Sequence, residues 1–322
     1  MSKIFIISNT QFNISKNLTT KEWLKNMNYY FNNDFLPYLK KNKSDNDILI
    51  HLGNLTSKTK NINLEVLKFT QDTFKTISSI LPVYILSGEN DTHSKNILNN
   101  IKDVEVISEP KEVEILLDQR FAMLPSNSKI EDIDKFDSDY CFFHFDINTP
   151  QKDLILKKLS KFQKCYCGFY DKNGIMKNIK FLGAPYNLEK DEKKGFIILE
   201  TYTNKDKFIL NKISPSFKKI IINDNKDIAI DKTVFLNNYV SLTLNKKLFN
   251  DNKLKIDMLL SENDFTKVSY TDDEIKKDRD LIQLDGESVS LKEMITEYIE
   301  KSDVDNKKKL LEEFKKIAKL ND

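Results

Sequence analysis

An α/β fold follows from three features of the sequence. Short apolar, β-branched runs recur, each ending in a compact polar loop. Segments with helical spacing separate several of them, and the apolar fraction, 39% of 322 residues, is ordinary for a protein with a buried core. Five runs carry the pattern. Ile4 to Ile7 leads into Ser8-Asn9-Thr10-Gln11, Asp47 to Leu52 into Gly53-Asn54-Leu55-Thr56-Ser57, and Val83 to Leu86 into Ser87-Gly88-Glu89-Asn90-Asp91-Thr92-His93; Cys141 to Phe143 leads into His144, and Cys165 to Cys167 into Gly168-Phe169-Tyr170-Asp171. Buried strands of α/β sheets carry their ligand loops at the C-terminal end, so these five loops are expected on one rim.

Taken in order, Thr19-Thr20-Lys21-Glu22 has the form of a capping box opening a helix with Trp23, Met27, Tyr30 and Phe31 on its apolar face. Pro37 is expected to end or bend that helix near Leu36. Leu64 to Ile80 carries Leu64, Val66, Leu67, Thr70, Phe74 and Ile77 at helical spacing, and Pro82 stops it before the next strand. Strand, loop, helix, strand is a parallel crossover. Val104 to Leu124 reads as strands, with Val113, Ile115 and Leu117 alternating. Thr149 is placed to cap a helix with Pro150 at its first position and Leu154, Leu156 and Leu159 on its apolar face.

The pattern changes near Ser214-Pro215. Strands at Ile220 to Ile222, Tyr239 to Leu244 and Val268 to Tyr270, with a helix over Leu254 to Leu260, predict a small β/α module; Thr271 to Asp280 is a charged linker. Ser290 and Glu293 then cap a helix with Leu291, Met294, Ile295, Tyr298 and Ile299 on one face, and Lys307 to Leu320 repeats the stripe with Leu310, Leu311, Phe314, Ile317 and Ala318. Two such helices form an αα-hairpin that either docks on its own domain or grips a partner helix. A stripe kept apolar over both helices, beyond a charged linker, favours the partner.

With 51 Lys plus Arg against 49 Asp plus Glu, the net charge of +2 makes no global case for nucleic acid or membrane. Any phosphate-binding surface is local, drawn from Lys40, Lys41, Lys43, Lys157, Lys158, Lys193, Lys194, Lys218, Lys219, Lys246 and Lys247. No apolar run approaches the roughly 20 residues that span a bilayer, and Met1 to Gln11 is too short and polar for a signal peptide, so the expectation is a cytoplasmic protein without a membrane, in the host cytoplasm if the source is viral. Cys141, Cys165 and Cys167 lack paired metal motifs and read as buried free thiols.

The order and spacing of the five loops resemble the calcineurin-like metallophosphoesterases, and within them the SbcD-type subunit of the DNA-repair exonuclease, particularly its bacteriophage members. That family writes the loops as Asp-x-His, Gly-Asp-x-x-Asp, Gly-Asn-His-Asp, a lone His and Gly-His-x-His, and holds two divalent ions with them. Here Asn9 and Gln11 stand for Asp and His, Gly53-Asn54-x-x-Ser57 for the second motif, and Gly88-Glu89-Asn90-Asp91 for the third; His144 matches, and Phe169 and Asp171 replace the last two histidines. Phe181-Leu182-Gly183-Ala184-Pro185-Tyr186 and Lys194-Gly195-Phe196 are similar to segments that follow in the family. The resemblance covers nearly the whole chain. It implies a β-sandwich flanked by helices over 1–213, a capping domain over 214–272 that in active members helps present DNA, and a linker and hairpin over 273–322 that binds the coiled-coil base of an SbcC-like, SMC-type ATPase. It also implies a homodimer and contact with DNA ends.

The substitutions decide the expected chemistry. Two ions about 3.5–4 Å apart need anionic bridging ligands, and at an effective dielectric near 20 a unit charge at about 4 Å is worth on the order of 4 kcal/mol. Replacing bridging carboxylates by Asn9 and Asn54, and imidazoles by Gln11 and Phe169, removes that charge and those donors; Asn90 stands where the family has its catalytic His, which removes the proton donor too. A two-metal nuclease is therefore not expected. Glu89, Asp91, His144 and Asp171 share the rim and form the candidate set for a single weakly held magnesium or manganese ion, unless Asp91 caps its own loop and the others are solvated or paired. Three functions stay open: a non-catalytic or impaired SbcD-like subunit with an architectural role in DNA-end processing, an active nuclease with a rearranged single-metal site, and a non-enzymatic structural or host-interaction protein. His93 and His51 read as ordinary polar residues, His51 as a satisfied buried imidazole.

Overall fold

A computed structural model of the chain describes residues 2–12, 20–56, 63–91, 98, 100–116, 119–187, 193–223, 238–244, 246–261 and 266–270. The chain divides into two compact units, Met1–Leu244 with Leu248–Ser269, and Asn245–Lys247 with Tyr270–Asp322. The second is almost wholly outside the described residues, and with it the segments expected to form the linker and the αα-hairpin. Thr19, Ser57, Thr92 and His93 fall outside as well.

The fold is mixed α/β. Strands β1 (Lys3–Ile7), β2 (Ile48–His51), β3 (Val83–Leu86) and β4 (Val104–Ile107) run parallel in one sheet, extended by β11 (Gly195–Glu200) and β12 (Lys205–Leu210) in the order β12-β11-β1-β2-β3-β4. β11 lies antiparallel to β1, pairing Lys3 with Glu200 and Ile6 with Ile197. A second sheet has the order β5-β6-β7-β8-β10-β9, built from β5 (Lys111–Leu116), β6 (Gln119–Leu124), β7 (Tyr140–Phe143), β8 (Lys164–Cys167), β9 (Gly174–Met176) and β10 (Ile179–Phe181). Here β6, β7, β8 and β10 are parallel.

Alternation along the strands sorts side chains between two faces. Ile4, Ile6, Ile48 and Ile50 of the first sheet meet Phe121, Met123, Tyr140, Phe142 and Tyr166 of the second in one buried cluster. The intervening residues Phe5, Ile7, Leu49, Val83 and Ile85 face outward onto α1 (Thr20–Tyr30) and α3 (Leu64–Ser78), where Trp23, Met27, Phe74 and Ile77 cover them. On the far side, Cys141, Phe143, Cys165 and Cys167 lie under Ile155, Leu156 and Leu159 of α4 (Lys152–Leu159). The three cysteines are free and buried, and burial pushes the thiols of Cys141 and Cys167 upward, so they are packed, inert groups.

Two helix boundaries differ from expectation for identifiable reasons. Pro37 does not end the first helix. A π-helical segment, Phe31–Phe35, follows α1, with the Leu36 N–H reaching back to the Phe31 carbonyl, and Pro37 sits in the first turn of α2 (Leu36–Asn42), directly after the widened turn. The buried residues Trp23, Met27, Phe31, Phe35 and Leu39 advance in steps of four, which drifts by about 40° per step on a 3.6-residue helix; the widened turn takes up that drift. Thr149 likewise does not cap α4. Its hydroxyl accepts from the Gln151 N–H and its carbonyl from the Lys152 N–H, a turn that delays the helix to Lys152. On α3 the cap is Asn63, whose side chain accepts from the Glu65 N–H.

A third sheet, β13 (Ser216–Ile222), β14 (Asn238–Leu244) and β15 (Thr266–Tyr270), packs Ile222, Val240, Leu242 and Leu244 against Ile256 of α6 (Lys253–Ser261), with α5 (Lys246–Asp251) preceding it. No helix among the described residues is long and apolar enough to cross a membrane.

Candidate functional site

The loops after β1, β2, β3, β7 and β8 meet, linked by hydrogen bonds directly or through the segment after β6. Leu52 N–H donates to the Ile7 carbonyl, Asn9 N–H to Gly53 at 3.0 Å, and Gln11 N–H to Asn54 at 3.1 Å; Gly168 N–H donates to Phe143 at 3.1 Å, and Ser126, beyond β6, to Ser87 at 2.9 Å. Backbones come this close only without side chains between them. A Cβ on Gly53, whose φ is +96°, would stand 2.6 Å from His144 Nδ1, and one on Gly168 would stand 2.3 Å from the Leu52 carbonyl. Asn9, Gln11 and Asn54 adopt φ of 51°, 42° and 55°. Left-handed backbone at three non-glycine positions of one rim marks a strongly over-determined geometry.

Three amides run through this rim in one direction. Asn90 Nδ2 donates to Asn54 Oδ1 at 3.2 Å, and Asn54 Nδ2 donates to Asn9 Oδ1 at 2.9 Å. Asn9 Nδ2 then faces the carbonyls of Gly168, Leu182 and Tyr170 at 2.8, 3.1 and 3.2 Å, with Ser8 Oγ at 3.1 Å. The chain ties the first three loops to the last strands with no net charge. Its open end is Asn90 Oδ1, a buried acceptor without a partner.

The titratable groups divide between engaged and open. Asp91 is buried and its two carboxylate oxygens accept from Thr56 N–H at 3.1 Å and Gly88 N–H at 2.9 Å, so it clamps the second loop to the third. Burial pushes its carboxyl up to about 6 against the pull of those backbone bonds. Asp171 Oδ1 accepts from Gln11 Nε2 at 3.0 Å, which links the first and last loops. Glu89 is exposed on the third loop. His51 is a satisfied imidazole: Nδ1 accepts from Gly53 N–H at 3.1 Å and Nε2 lies 3.0 Å from Thr10 Oγ1, and burial, then the neighbouring His144, lower its pKa to about 3.

His144 is the exception. Its Nδ1 lies 2.5 Å from the Leu52 carbonyl, which can only accept, so the ring proton sits on Nδ1 and Nε2 carries a lone pair. That Nε2 is buried without a partner. Desolvation lowers the His144 pKa to about 4 against the raising effect of the Leu52 bond, so the ring is neutral at pH 7. Phe169 packs edge-on against it at 5.8 Å between ring centroids.

A pair of divalent ions, which the family resemblance implies, does not fit these residues. Donor atoms that would hold it are engaged elsewhere: both Asp91 oxygens on backbone N–H groups, Asp171 Oδ1 on Gln11, and the Asn9 and Asn54 oxygens on the amide chain. Among the described residues no three His, Cys, Asp or Glu side chains gather as a metal-holding group. Among the described rim residues, His144 Nε2 and Asn90 Oδ1 are buried without a partner, and both are neutral.

Two residues outside the sequence prediction also shape the rim. Tyr170 organises the segment after His144: its hydroxyl accepts from the N–H groups of Ile147 at 3.0 Å and Asn148 at 3.3 Å and donates to Asp146. Tyr186 donates its hydroxyl to the Thr10 carbonyl, beneath Trp23 and Tyr30. No motif spacing announces either role. The candidate lysines divide too. Lys40, Lys41 and Lys43 end α2, and Lys157 and Lys158 end α4, at the strand edge opposite the rim, where Lys158 pairs with Asp134. Lys194, from the same candidate set, lies at the rim, buried with its Nζ 3.3 Å from the Asp171 carbonyl.

No protein-family model matches the chain, and no curated protein matches it in sequence. Among solved structures, the protein of unknown function AQ665 from Aquifex aeolicus aligns over 57% of this chain and 90% of its own length, at 16% identity and a TM-score of 0.31. At that score the likeness bears on neither fold nor function.

Proposed function

We propose that the chain is a calcineurin-like, SbcD-type phosphoesterase subunit that has given up two-metal phosphodiester hydrolysis and serves an architectural role in DNA-end processing. The observation that carries the reading is the rim itself. Five loops at the motif positions of that family meet in hydrogen-bonding contact, with left-handed backbone at Asn9, Gln11 and Asn54, while their donor set is amide rather than carboxylate. The two facing mixed sheets with helices on their outer sides accord with such a subunit. Its partners in this reading are an SbcC-like, SMC-type ATPase gripped by Leu291, Met294, Ile295, Tyr298, Leu310, Leu311, Phe314 and Ile317, DNA ends, and a second copy of the chain.

The test joins metal content, nuclease activity and partner capture on the purified full chain. The expected result is no stoichiometric manganese, no cleavage of a short duplex, and co-purification of an SMC-type ATPase that is lost in the Leu310→Asp and Phe314→Asp variants. One observation favours a second reading, an active single-metal nuclease: the unpartnered Nε2 of neutral His144. Manganese-dependent cleavage that disappears in His144→Ala, Glu89→Ala and Asp171→Ala would establish that reading and remove the first. Absence of both cleavage and an ATPase partner would point to a structural or host-interaction protein.

A further inference from the structure

We infer that the Asn90, Asn54 and Asn9 chain is a metal-independent lock on the rim, and that the amide nitrogens of Asn54 and Asn9 withhold a divalent cation from an imidazole already set to bind one.

The argument starts at Asn9. Its Nδ2 lies within 3.2 Å of three backbone carbonyl oxygens and the Ser8 hydroxyl, a surrounding that only a donor satisfies. Because the nitrogen is fixed there, Oδ1 must be the acceptor for Asn54, which fixes the Asn54 amide in turn, and Asn54 Oδ1 then takes the Asn90 donor. Each amide therefore has one permitted orientation. The loops are held by neutral hydrogen bonds in the place where two cations would otherwise need anionic bridges, and the fold requires no metal to close them.

His144 supplies the other half. An imidazole that donates one ring N–H to a backbone carbonyl and keeps the other nitrogen bare has the tautomer and orientation of a metal ligand. The buried carboxylate of the neighbouring third loop, Asp91, is engaged by the Thr56 and Gly88 N–H groups. Replacing the Asn54 amide nitrogen by oxygen would oppose it to Asn9 Oδ1 across 2.9 Å, acceptor against acceptor, and that repulsion is relieved by a cation held between carboxylate and imidazole.

The experiment is thermal unfolding of the full chain in EDTA and in millimolar manganese. The wild type is expected to melt at the same temperature in both. Asn54→Ala, which removes the donor without adding charge, lowers Tm by about 5 °C in both solutions. Asn54→Asp melts lower still in EDTA and recovers by about 5 °C or more in manganese, with one manganese bound per chain by titration; adding His144→Ala abolishes the recovery. If Asn54→Asp does not fold, Asn90→Asp at the half-exposed end of the chain replaces it, with the same manganese-dependent rise expected. A wild type whose Tm rises with manganese or falls with EDTA overturns the lock, and so does a folded aspartate variant that ignores manganese. The inference takes from the proposed function only the kind of cation that would sit there. A chain that captures no ATPase overturns that function and leaves the lock standing, whereas a manganese-responsive wild type removes the lock whichever partner is captured.

Discussion

The two ends of the paired sheets bury polar groups in opposite ways. At the loop rim the buried side chains are mostly neutral amides and imidazoles, and the two charged ones stand on backbone: Asp91 accepts from two N–H groups and Lys194 reaches the Asp171 carbonyl. At the other end, Asp206 of β12 receives Lys164 at the start of β8 and Lys180 of β10, and Tyr140 Oη reaches the Thr201 carbonyl at 3.3 Å and Asn204 Oδ1 at 3.2 Å, so the first sheet is tied to the second largely by ions. Burial pushes the Asp206 carboxyl up, and the two lysine hydrogen bonds outweigh that and hold it below the usual range. Those lysines are 20% and 27% exposed. Water reaches the ion pairs and supplies part of their solvation, whereas at the rim an uncompensated charge would lie among carbonyls with nothing to solvate it. The lesson is positional: the same two sheets pair side-chain ions where solvent helps, and at the rim they join loops through amides and hold single charges on backbone groups.

The largest expected effect breaks the neutral end. Asn9→Asp sets a carboxylate against the Gly168, Tyr170 and Leu182 carbonyls, at a cost on the order of 4 kcal/mol, seen as loss of the folded chain or a much lower urea midpoint. Next comes Asp91→Ala, which strands the Thr56 and Gly88 N–H groups and should cost about 3 kcal/mol by urea unfolding; a cost near zero would mean that the second and third loops are held by something else.

The pH dependence sharpens the same contrast. His51 and His144 have folded pKa values of about 3 and 4, below the ordinary 6.5, so their contribution is complete above pH 6.5 and is lost as pH falls toward those values. Asp91 runs the other way. Raised to about 6 from 3.8, it favours the fold increasingly as pH falls from 6 to 3.8. Two groups lose and one gains, leaving a net loss of about 1.4 kcal/mol per pH unit between roughly pH 6 and 4. Urea unfolding across that range measures it, and stability rising toward pH 4 would contradict the buried neutral imidazoles. The smallest effect belongs to the charged end. Asp206→Asn should cost about 1 kcal/mol and shrink further in high salt, whereas the cost of Asn9→Asp should not depend on salt.

Much of the fold was legible in the sequence because strands announce themselves by local composition. Ile4 to Ile7, Val83 to Leu86 and Cys165 to Cys167 are β-branched or buried runs bounded by polar turns, and the loops that follow them do meet. Trp23 packs in the core and His51 is satisfied, as their neighbours suggested. The π segment was less visible, since Pro37 dominates a local reading; yet the four-residue steps from Trp23 to Leu39 are written in the sequence and carry the signal. The site was legible only as a set of positions. That Asn9, Asn54 and Asn90 share a rim follows from strand order, but the direction of their hydrogen bonds does not, because it is fixed by carbonyls of residues 168, 170 and 182, far along the chain. The engagement of Asp171 by Gln11 and of Asp91 by backbone is equally non-local.

A one-way chain of amides should also be audible spectroscopically. The primary-amide protons of Asn9 and Asn54 are held in buried hydrogen bonds. In a nitrogen-correlated NMR spectrum those NH2 pairs should separate from the crowded amide region, with widely split proton shifts and slow exchange into deuterium. They would form a compact reporter of whether the rim is shut, readable without any assay of activity.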